Sequence, residues 1–339
     1  MDELERLRLD ALVALDGDGG ERETLRDGAP LRLGISTCLL GQRVRYDGGH
    51  KRDAFLTDIL GRYVEWVPVC PELEAGLGVP REAMHLQRLD GETRLLTSKT
   101  RHDHTETLRR FSERKVAALR RENLSGYVLK RSSPSCGMEG VKIHRRKGAA
   151  VLGRGLFADI LLAAFPHLPI EEEGRLDDPE LRENFLERVF AYRRLRSLFA
   201  PRWTVGELIA FHSAHKLQLM AHSPRHYAEL GRSVAAAKIT PRPQLRQVYQ
   251  EGMMTALESR ATIRRHVNVL QHAIGYFSGR LDEASRRELV ERIDDYRREL
   301  VPRIVPLTLV RHYVRRFDLA YLRSQTYFEP YPEDLQQPL

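Results

Sequence analysis

The chain has 339 residues, of which 42% are hydrophobic and 30% are charged. This composition is typical of a folded globular protein and excludes collagen-like and low-complexity chains. The longest apolar runs fall far short of the roughly 20 residues that a membrane span needs, so no membrane partner is expected. The acidic, amphipathic start lacks the pattern of a signal peptide, and three cysteines do not make a disulfide framework. We therefore expect a cytoplasmic protein.

The net charge of +8 is concentrated in the second half of the chain. Residues 1–190 contain 31 basic and 32 acidic residues, whereas residues 191–339 contain 24 and 15, a balance of +9. Such an excess suits a polyanionic partner such as RNA, although arginine-rich helices are often simply solvated. Charge alone leaves both interpretations open.

The first part of the chain has the pattern of an α/β domain. Residues 1–30 end in a stretch rich in glycine and charge, which predicts a flexible extension. Short apolar segments rich in branched and aromatic residues then predict strands in LRLGIST, YVEWVPV and GYVLK. Helical patterns lie between and after them, in AFLTDILGRY, TETLRRFSERKVAALRREN and RGLFADILLAAF. This alternation predicts a domain over residues 31–180 with a mainly parallel sheet, in a Rossmann-like three-layer arrangement.

Residues 190–332 show a helical pattern almost throughout. The longest such pattern is QLRQVYQEGMMTALESRATIRRHVNVLQHAIGYF, which predicts one continuous helix. Glycine and proline breaks separate it from the helical patterns that follow. We therefore expect an all-α domain behind the α/β domain.

Each of the three cysteines follows a predicted strand. Cys38 follows LRLGIST, Cys70 follows YVEWVPV, and Cys136 lies in SPSCG beyond GYVLK. Because the carboxyl ends of parallel strands share one edge of a sheet, the three side chains can converge in space. Three thiolates are one ligand short of a closed cage, and the open position would admit a substrate. The alternative is three separate buried thiols, because free cysteine is among the most buried residue types.

These residues resemble a known family. ISTCLLGQRVRYDGGHKRD, VPVCPELEAGLGVPRE and LKRSSPSCG together resemble the thiouracil desulfidase domain, and the second half resembles the helical domain named after the uncharacterised protein YbgA. The second resemblance rests on HKLQLMAHSPRHYAELG, HVNVLQHAIGYF and VPRIVPLTLVRHYVRRF. The fused form is similar to tRNA 4-thiouridine desulfidases, which convert the modified base to uridine. The resemblance implies a [4Fe-4S] cluster with one open iron and three ligands, here Cys38, Cys70 and Cys136.

The resemblance also implies two catalytic residues, Glu72 in CPE and Ser133 in SPSCG, with Ser135 as the less favoured serine. A carboxylate base suits the reaction because water is a poor nucleophile at pH 7. A hydroxyl beside it can orient that water or donate to a ring nitrogen of the substrate. Both residues also have ordinary structural interpretations, since Glu72 can cap a turn behind Pro71 and Ser133 can bond its own backbone.

Ser135 is also a candidate for substrate binding, and five further residues are candidates for binding. Asp47 lies in a glycine-rich turn where it could touch substrate, although Asp-Gly is first of all a turn signal. Lys130 lies beside the third cysteine loop, where it could meet a phosphate, meet the cluster or be solvated. Arg260 and Arg264 are predicted on one helix face, with Arg265 adjacent. Arginines near tyrosines suit phosphate contact and base stacking, and they also suit helix packing.

The sequence thus predicts a [4Fe-4S]-dependent, non-redox desulfidase that hydrolyses the C=S bond of thiolated uracil. The expected substrate is 4-thiouridine in tRNA, and the products are uridine and sulfide. One alternative is a desulfidase of free thiouracil bases. The other is a non-catalytic RNA-binding protein in which a metal ion only joins three loops.

Overall fold

A computed structural model describes residues 30–336. These residues form two compact units, of which the first ends at Arg193 and also contains Asp334, and the second spans Arg194–Glu333. The flexible extension predicted for residues 1–30 lies outside the described residues, apart from Pro30. Within residues 30–336, none of the helices combines the length and the hydropathy that crossing a bilayer requires.

The first unit contains two sheets, and four strands form the first of them. The strands in chain order are β1 (Arg32–Ser36), β2 (Glu65–Val69), β3 (Met84–Leu89), β4 (Glu92–Thr97), β5 (Gly126–Leu129), β6 (Val141–His144), β7 (Val151–Gly153) and β8 (Ile170–Glu172). The first sheet has the order β2-β1-β5-β8, and all of its pairings are parallel. This arrangement confirms the predicted parallel sheet. Because β2 and β5 lie on opposite sides of β1, the chain reverses direction across the sheet there, as it does at ligand-binding edges of α/β folds.

The second sheet was not predicted from the sequence. Its order is β4-β3-β6-β7, with β3 and β4 joined as an antiparallel hairpin. The hairpin turn contains Asp90 and Gly91 with φ of 49° and 83°. Two successive positive φ angles are required by the tight hairpin turn for which Asp-Gly is a strong signal. MHLQRLDGETRLLT therefore carries a hairpin signal that the strand–helix alternation around it obscures.

Two of the three helices predicted for the first unit form as expected. They are α1 (Thr105–Leu119) and α2 (Leu156–Ala164), and α3 (Pro179–Leu198) begins near the end of the unit. The segment AFLTDILGRY is also helical, but it forms a π-helical turn at Phe55–Ile59 followed by a 3-10 turn at Leu60–Arg62 instead of a regular α-helix.

The buried face of the parallel sheet packs against α1 and α2. Val116, Tyr127 and Phe157 belong to one apolar cluster there, and Tyr127 is fully buried. Gly34 of β1 pairs directly with Tyr127 of β5. A Cβ atom at Gly34 would lie 2.1 Å from the Tyr127 ring, so only glycine leaves room for this ring between the strands.

The second unit is helical. Its helices are α4 (Val205–Ala214), α5 (Lys216–His222), α6 (Pro224–Ala235), α7 (Arg242–Glu258), α8 (Ile263–Gly275), α9 (Glu283–Arg297), α10 (Ile304–Arg316) and α11 (Ala320–Arg323). Leu270, Phe277, Ile293 and Val310 lie in its main apolar cluster. The prediction of an all-α second part is confirmed.

The long helix predicted in this unit is instead two helices, α7 and α8. The chain leaves the helix at Ser259, which is extended, and re-enters it after Thr262. The Thr262 hydroxyl accepts a hydrogen bond from the backbone N–H of Arg265 and so caps the start of α8. The prediction that Arg260 and Arg264 share a helix face was therefore wrong, because Arg260 precedes the helix.

The close pairing of Gly34 and Tyr127 predicts the effect of one substitution. We expect Gly34→Ala to lower the free energy of unfolding of the first unit by about 1–3 kcal/mol, because the added methyl group overpacks the site. Urea denaturation followed by circular dichroism would measure the loss. Gly275→Ala is the control, since a Cβ atom there meets nothing within 4 Å. An unchanged transition in Gly34→Ala would contradict the packing described here.

Candidate functional site

One cavity opens at the carboxyl edge of the parallel sheet. Its volume is about 150 Å³, and Cys38, Cys70 and Cys136 all line it. Cys70 directly follows β2, Cys38 comes two residues after β1, and Cys136 lies in the loop after β5. These three strands are neighbours in the sheet, so their loops meet at one point although the cysteines are far apart along the chain.

The loop that carries Cys136 is held against the start of α2. The backbone N–H groups of Leu156 and Phe157 donate to the carbonyl oxygens of Pro134 and Ser135, at 3.1 and 3.0 Å. Gly155 makes this approach possible, because a Cβ atom there would lie 2.5 Å from the carbonyl group of Ser135. The backbone amides in the first turn of α2 are thus satisfied by carbonyl groups of the Cys136 loop, which take the place of a capping side chain.

The environment of the three thiols opposes their ionisation. Burial, followed by the charge of Cys70, raises the pKa of Cys38 to about 11. Burial also raises the pKa of Cys70, and it raises that of Cys136 well above the usual range, with Glu72, Cys38 and Cys70 adding to the effect. Three thiolates in this cavity therefore need a cationic group between them, and binding such a group releases their protons.

The donor set fits an iron–sulfur cluster. Among the described residues, no three His, Cys, Asp or Glu side chains are arranged to hold a single metal ion. Thiolates hold an iron–sulfur cluster through its separate irons, so the sulfurs need not converge on one atom. The Arg45 Nε atom is buried without a hydrogen-bond partner and its charge acts on Cys38. A cationic side chain beside three soft ligands suits an anionic thiolate cluster, and the ion pair of Arg45 with Asp47, at 3.6 Å, leaves its Nε atom without a hydrogen bond.

Glu72 lines the same cavity and is held by two partners. Arg81 donates to Oε2 of Glu72 through Nε at 3.0 Å and through Nη2, and the two side chains are only 7% and 13% exposed. The Ser135 hydroxyl donates to Oε1 at 2.8 Å. Arg81 Nη1 in turn donates to the carbonyl oxygens of Val44 and Gly78, at 3.1 and 2.9 Å. The carboxylate is thus fixed in orientation at the cavity wall.

Arg81 was not predicted from the sequence as a site residue. It stands in VPRE, at the end of a segment that carries the family resemblance, but no spacing rule links an arginine nine residues away to Glu72. Arg81 also lines the cavity. Arg81 is recognised as a site residue because its buried guanidinium pairs with a carboxylate in the cavity. Such a pair can be seen only in the three-dimensional structure.

The two serines have different surroundings. The Ser133 hydroxyl oxygen accepts hydrogen bonds from the backbone N–H groups of Ser135 and Cys136, at 3.2 and 3.1 Å, and Ser133 lines the cavity. Its own hydrogen remains available to donate. Ser135 is fully buried and bonds Glu72. Ser133 therefore stabilises the turn of its own loop and also borders the cavity. Ser135 does not border the cavity, and its hydroxyl group contacts the carboxylate of Glu72.

Lys130 and Asp47 lie in different places. Lys130 lines the cavity, and its ammonium group is paired with Glu173, which follows β8. Asp47 accepts a hydrogen bond from the backbone N–H of Gly49 at 3.0 Å and lies 3.6 Å from Arg45 Nε. Because this hydrogen bond stabilises the carboxylate, it lowers the pKa of Asp47. Asp47 is not among the residues that line the cavity, so the structure gives it a turn role.

The rim of the cavity is basic. Arg45 and Arg131 line it together with Tyr46, and the Arg45 guanidinium lies 5.5 Å from the centre of the Tyr46 ring. The Arg131 side chain passes over Gly174, where a Cβ atom would lie 2.4 Å from it. These cationic side chains would meet an anionic ligand before it reaches the thiols.

The three arginines proposed to bind RNA have distinct positions in the second unit. Arg264 is exposed on α8, and Arg260 is exposed in the segment before it. Arg265 is half-buried, and its Nη1 atom donates to the His222 carbonyl oxygen at 2.6 Å. Arg265 therefore ties α8 to the end of α5.

Comparison with known protein families matches the two parts of the chain to different family models. The family model described as 2-thiouracil desulfurase matches residues 33–173, and the model described as a protein of unknown function, DUF1722, matches residues 216–332. The solved structure titled [4Fe-4S]-dependent thiouracil desulfidase TudS is similar at 30% identity, over 45% of this chain and 96% of that chain, with a TM-score of 0.35.

Two curated proteins are similar to parts of the chain. The uncharacterized protein YbbK of Bacillus subtilis is 29% identical over 136 residues, which are 38% of this chain and 89% of that protein. The uncharacterized protein YbgA of Escherichia coli is 35% identical over 151 residues, which are 44% of this chain and 89% of that protein. The chain therefore belongs to the YbgA family and joins a 2-thiouracil desulfurase domain to a DUF1722 domain.

Proposed function

We propose that this protein is an iron–sulfur-dependent desulfidase that removes sulfur from 4-thiouridine in tRNA. The observation that carries the proposal is the meeting of Cys38, Cys70, Cys136 and Glu72 in one cavity at the edge of the sheet. The match of residues 33–173 to the 2-thiouracil desulfurase family supports the reaction class. The overall reaction exchanges the C=S sulfur for the oxygen of water and releases sulfide, so carbon undergoes no net redox change.

Cys38, Cys70 and Cys136 would hold a [4Fe-4S] cluster. When bound, this group supplies a Lewis-acidic iron with an open position that accepts a soft thiocarbonyl sulfur. The lining of the cavity supports three ligands rather than four, since it contains no histidine and the chain has no further cysteine. A site with only three protein ligands keeps room for a substrate.

Glu72 would act as the general base. Its carboxylate oxygens have unshared lone pairs beyond those used by Arg81 and Ser135, and the side chain borders the cavity. It can therefore take a proton from a water molecule that attacks the base carbon. Arg81 keeps the carboxylate aimed at the cavity, because its fork is anchored on two backbone carbonyls.

Ser133 would act on the substrate ring. Its oxygen already accepts hydrogen bonds from two backbone N–H groups, so its O–H group is still available to donate a hydrogen bond to a substrate. A donor at the cavity wall stabilises negative charge as it develops on a ring nitrogen or on the departing group. Ser135 positions Glu72 and does not border the cavity.

The proposal of tRNA as substrate rests on charge and domain composition. The second half of the chain carries a balance of +9, and the cavity rim carries Arg45 and Arg131. A base within folded RNA must leave its stack to reach a pocket, and cationic surfaces hold the backbone while it does so. Free thiouracil lacks the phosphates that this charge would bind.

The reaction itself is tested by sulfide release. After anaerobic cluster reconstitution, we expect sulfide to form from tRNA that contains 4-thiouridine, and less from free 4-thiouracil at equal concentration, because only the tRNA engages the basic surface. Mass spectrometry of the nucleosides would confirm conversion to uridine. A protein with a complete four-iron spectrum that releases no sulfide from either compound would contradict the proposal. Release from the free base alone would favour the free-base alternative.

Single replacements of the cysteines distinguish a catalytic cluster from a structural metal. We expect Cys38→Ser and Cys136→Ser to lose cluster iron and sulfide release while the apo protein keeps its circular dichroism spectrum, because both loops are also held by backbone hydrogen bonds. Iron and acid-labile sulfide analysis would measure the loss. If the metal only joined the loops, the same replacements would unfold the first unit.

Glu72→Gln tests the base directly. Removal of a general base costs roughly 10²- to 10⁴-fold in kcat, so we expect a loss in that range with the cluster spectrum retained. Glu65→Gln is the matched control, because Glu65 lies at the opposite end of β2, where it pairs with Arg32 at 3.2 Å. Equal kcat values for Glu72→Gln and the control would exclude Glu72 as the base.

A further inference from the structure

Helix α8 presents one exposed face with an unusual composition. Arg264, Asn268, Gln271, His272 and Tyr276 are all exposed, and the steps between them are three or four residues, except that Gln271 and His272 are adjacent. Residues with this spacing lie on the same side of a helix, so the five form a stripe about 18 Å long at 1.5 Å per residue. We call this stripe the α8 face.

The opposite side of α8 is packed in the core of the second unit. Val267, Leu270, Ala273 and Ile274 are buried in the main apolar cluster. The rotation of the helix is therefore fixed by packing, and the α8 face must point outward. Within the part of the chain that the structure describes, the side chains of Arg264, Asn268 and Gln271 make no hydrogen bond or ion pair.

No acidic residue interrupts this region. Residues 259–281 include neither aspartate nor glutamate, although acidic residues are common in the helix that follows. Burial and the charge of Lys216 lower the pKa of His272, and no carboxylate among the described residues acts against them. The α8 face therefore carries the positive charge of Arg264 and no carboxylate of its own, which suits an anionic partner.

The C-terminal end of the face is aromatic. Tyr276 is 37% exposed as a residue, and its ring stacks on that of Tyr321 with ring centres 5.0 Å apart and an interplanar angle of 25°. His272 packs edge-on against the same ring at 5.7 Å. A tyrosine held in place by two neighbours, with part of its ring open, is a preformed platform on which a nucleic-acid base can stack.

We infer that the α8 face is an RNA-binding surface, on which Arg264 contacts phosphate, Asn268 and Gln271 contact base or ribose edges, and Tyr276 stacks on an unpaired base. Guanidinium, amide and aromatic groups without carboxylates are the chemistry that proteins use for single-stranded RNA. The inference rests on the proposed function, because it identifies the surface that would hold the tRNA. It excludes Arg265 from this role, since that side chain bonds the His222 carbonyl oxygen.

The test measures RNA binding without any chemistry on the base. The full-length protein is titrated into a fluorescent, unmodified tRNA transcript at several salt concentrations, and anisotropy gives the affinity. We expect Tyr276→Ala to weaken binding roughly 5- to 150-fold, the range for one lost base stack, and Tyr276→Phe to restore most of it. We expect Arg264→Gln to reduce the slope of log affinity against log salt by about 0.7, as for one lost phosphate contact on a single strand.

Arg287→Gln is the matched control. Arg287 is an exposed arginine of α9 paired with Glu283, so its replacement removes the same charge from another helix of the unit. Its affinity and salt slope should equal those of the unmodified protein. Thermal unfolding of every variant by circular dichroism separates a loss of contact from a loss of fold.

Two results would overturn the inference. The first is unchanged affinity and salt slope in both Arg264→Gln and Tyr276→Ala. The second is displacement of the tRNA by polyglutamate of equal charge as readily as by unlabelled tRNA, which would identify the face as a site for an acidic protein. Sulfide release is assayed separately, so α8-dependent RNA binding without any sulfide release would overturn the proposed function and leave the α8 face established.

Discussion

The parallel pairing of β1 with both β2 and β5 is the constraint on which the site depends. It places the carboxyl ends of three adjacent strands at one edge, and each of the loops that follow carries one thiol. Gly34 allows the pairing of β1 with β5, because any larger side chain at this position would clash with the Tyr127 ring. Tyr127 belongs to the same apolar cluster as Cys136, so the packing of this cluster helps to position the thiols.

The cavity balances opposed charges at close range. Its acidic groups are the buried carboxylate of Glu72 and three thiols whose pKa values are raised by burial. Arg81, Arg45 and Lys130 surround them with positive charge, and each has a carboxylate partner, which for Arg45 is Asp47 at 3.6 Å. The Nε atom of Arg45 is nevertheless buried without a hydrogen bond among the described residues. An anionic cluster would place negative charge near this nitrogen.

The sequence predicted those parts of the structure that local pattern and strand order determine. The parallel strands, α1, α2 and the helical second unit follow from periodicity, and the meeting of the three cysteine loops follows from strand direction. The Arg81–Glu72 pair could not be predicted, because it depends on how two loops approach each other. The break between α7 and α8 was missed because one capping hydroxyl, that of Thr262, outweighs a continuous helical pattern. The Asp90–Gly91 hairpin was missed although its signal was present.

The contact between the Cys136 loop and the first turn of α2 affects the order of assembly. Cys38 and Cys70 precede Cys136 along the chain, and the loop of Cys136 is fixed by backbone amides of residues 155–158, which come later still. During synthesis, which runs from the N-terminus, this loop therefore gains its partners only after α2 has been made. A group that binds all three thiols at once would find them in their final positions only after α2 has folded against the loop.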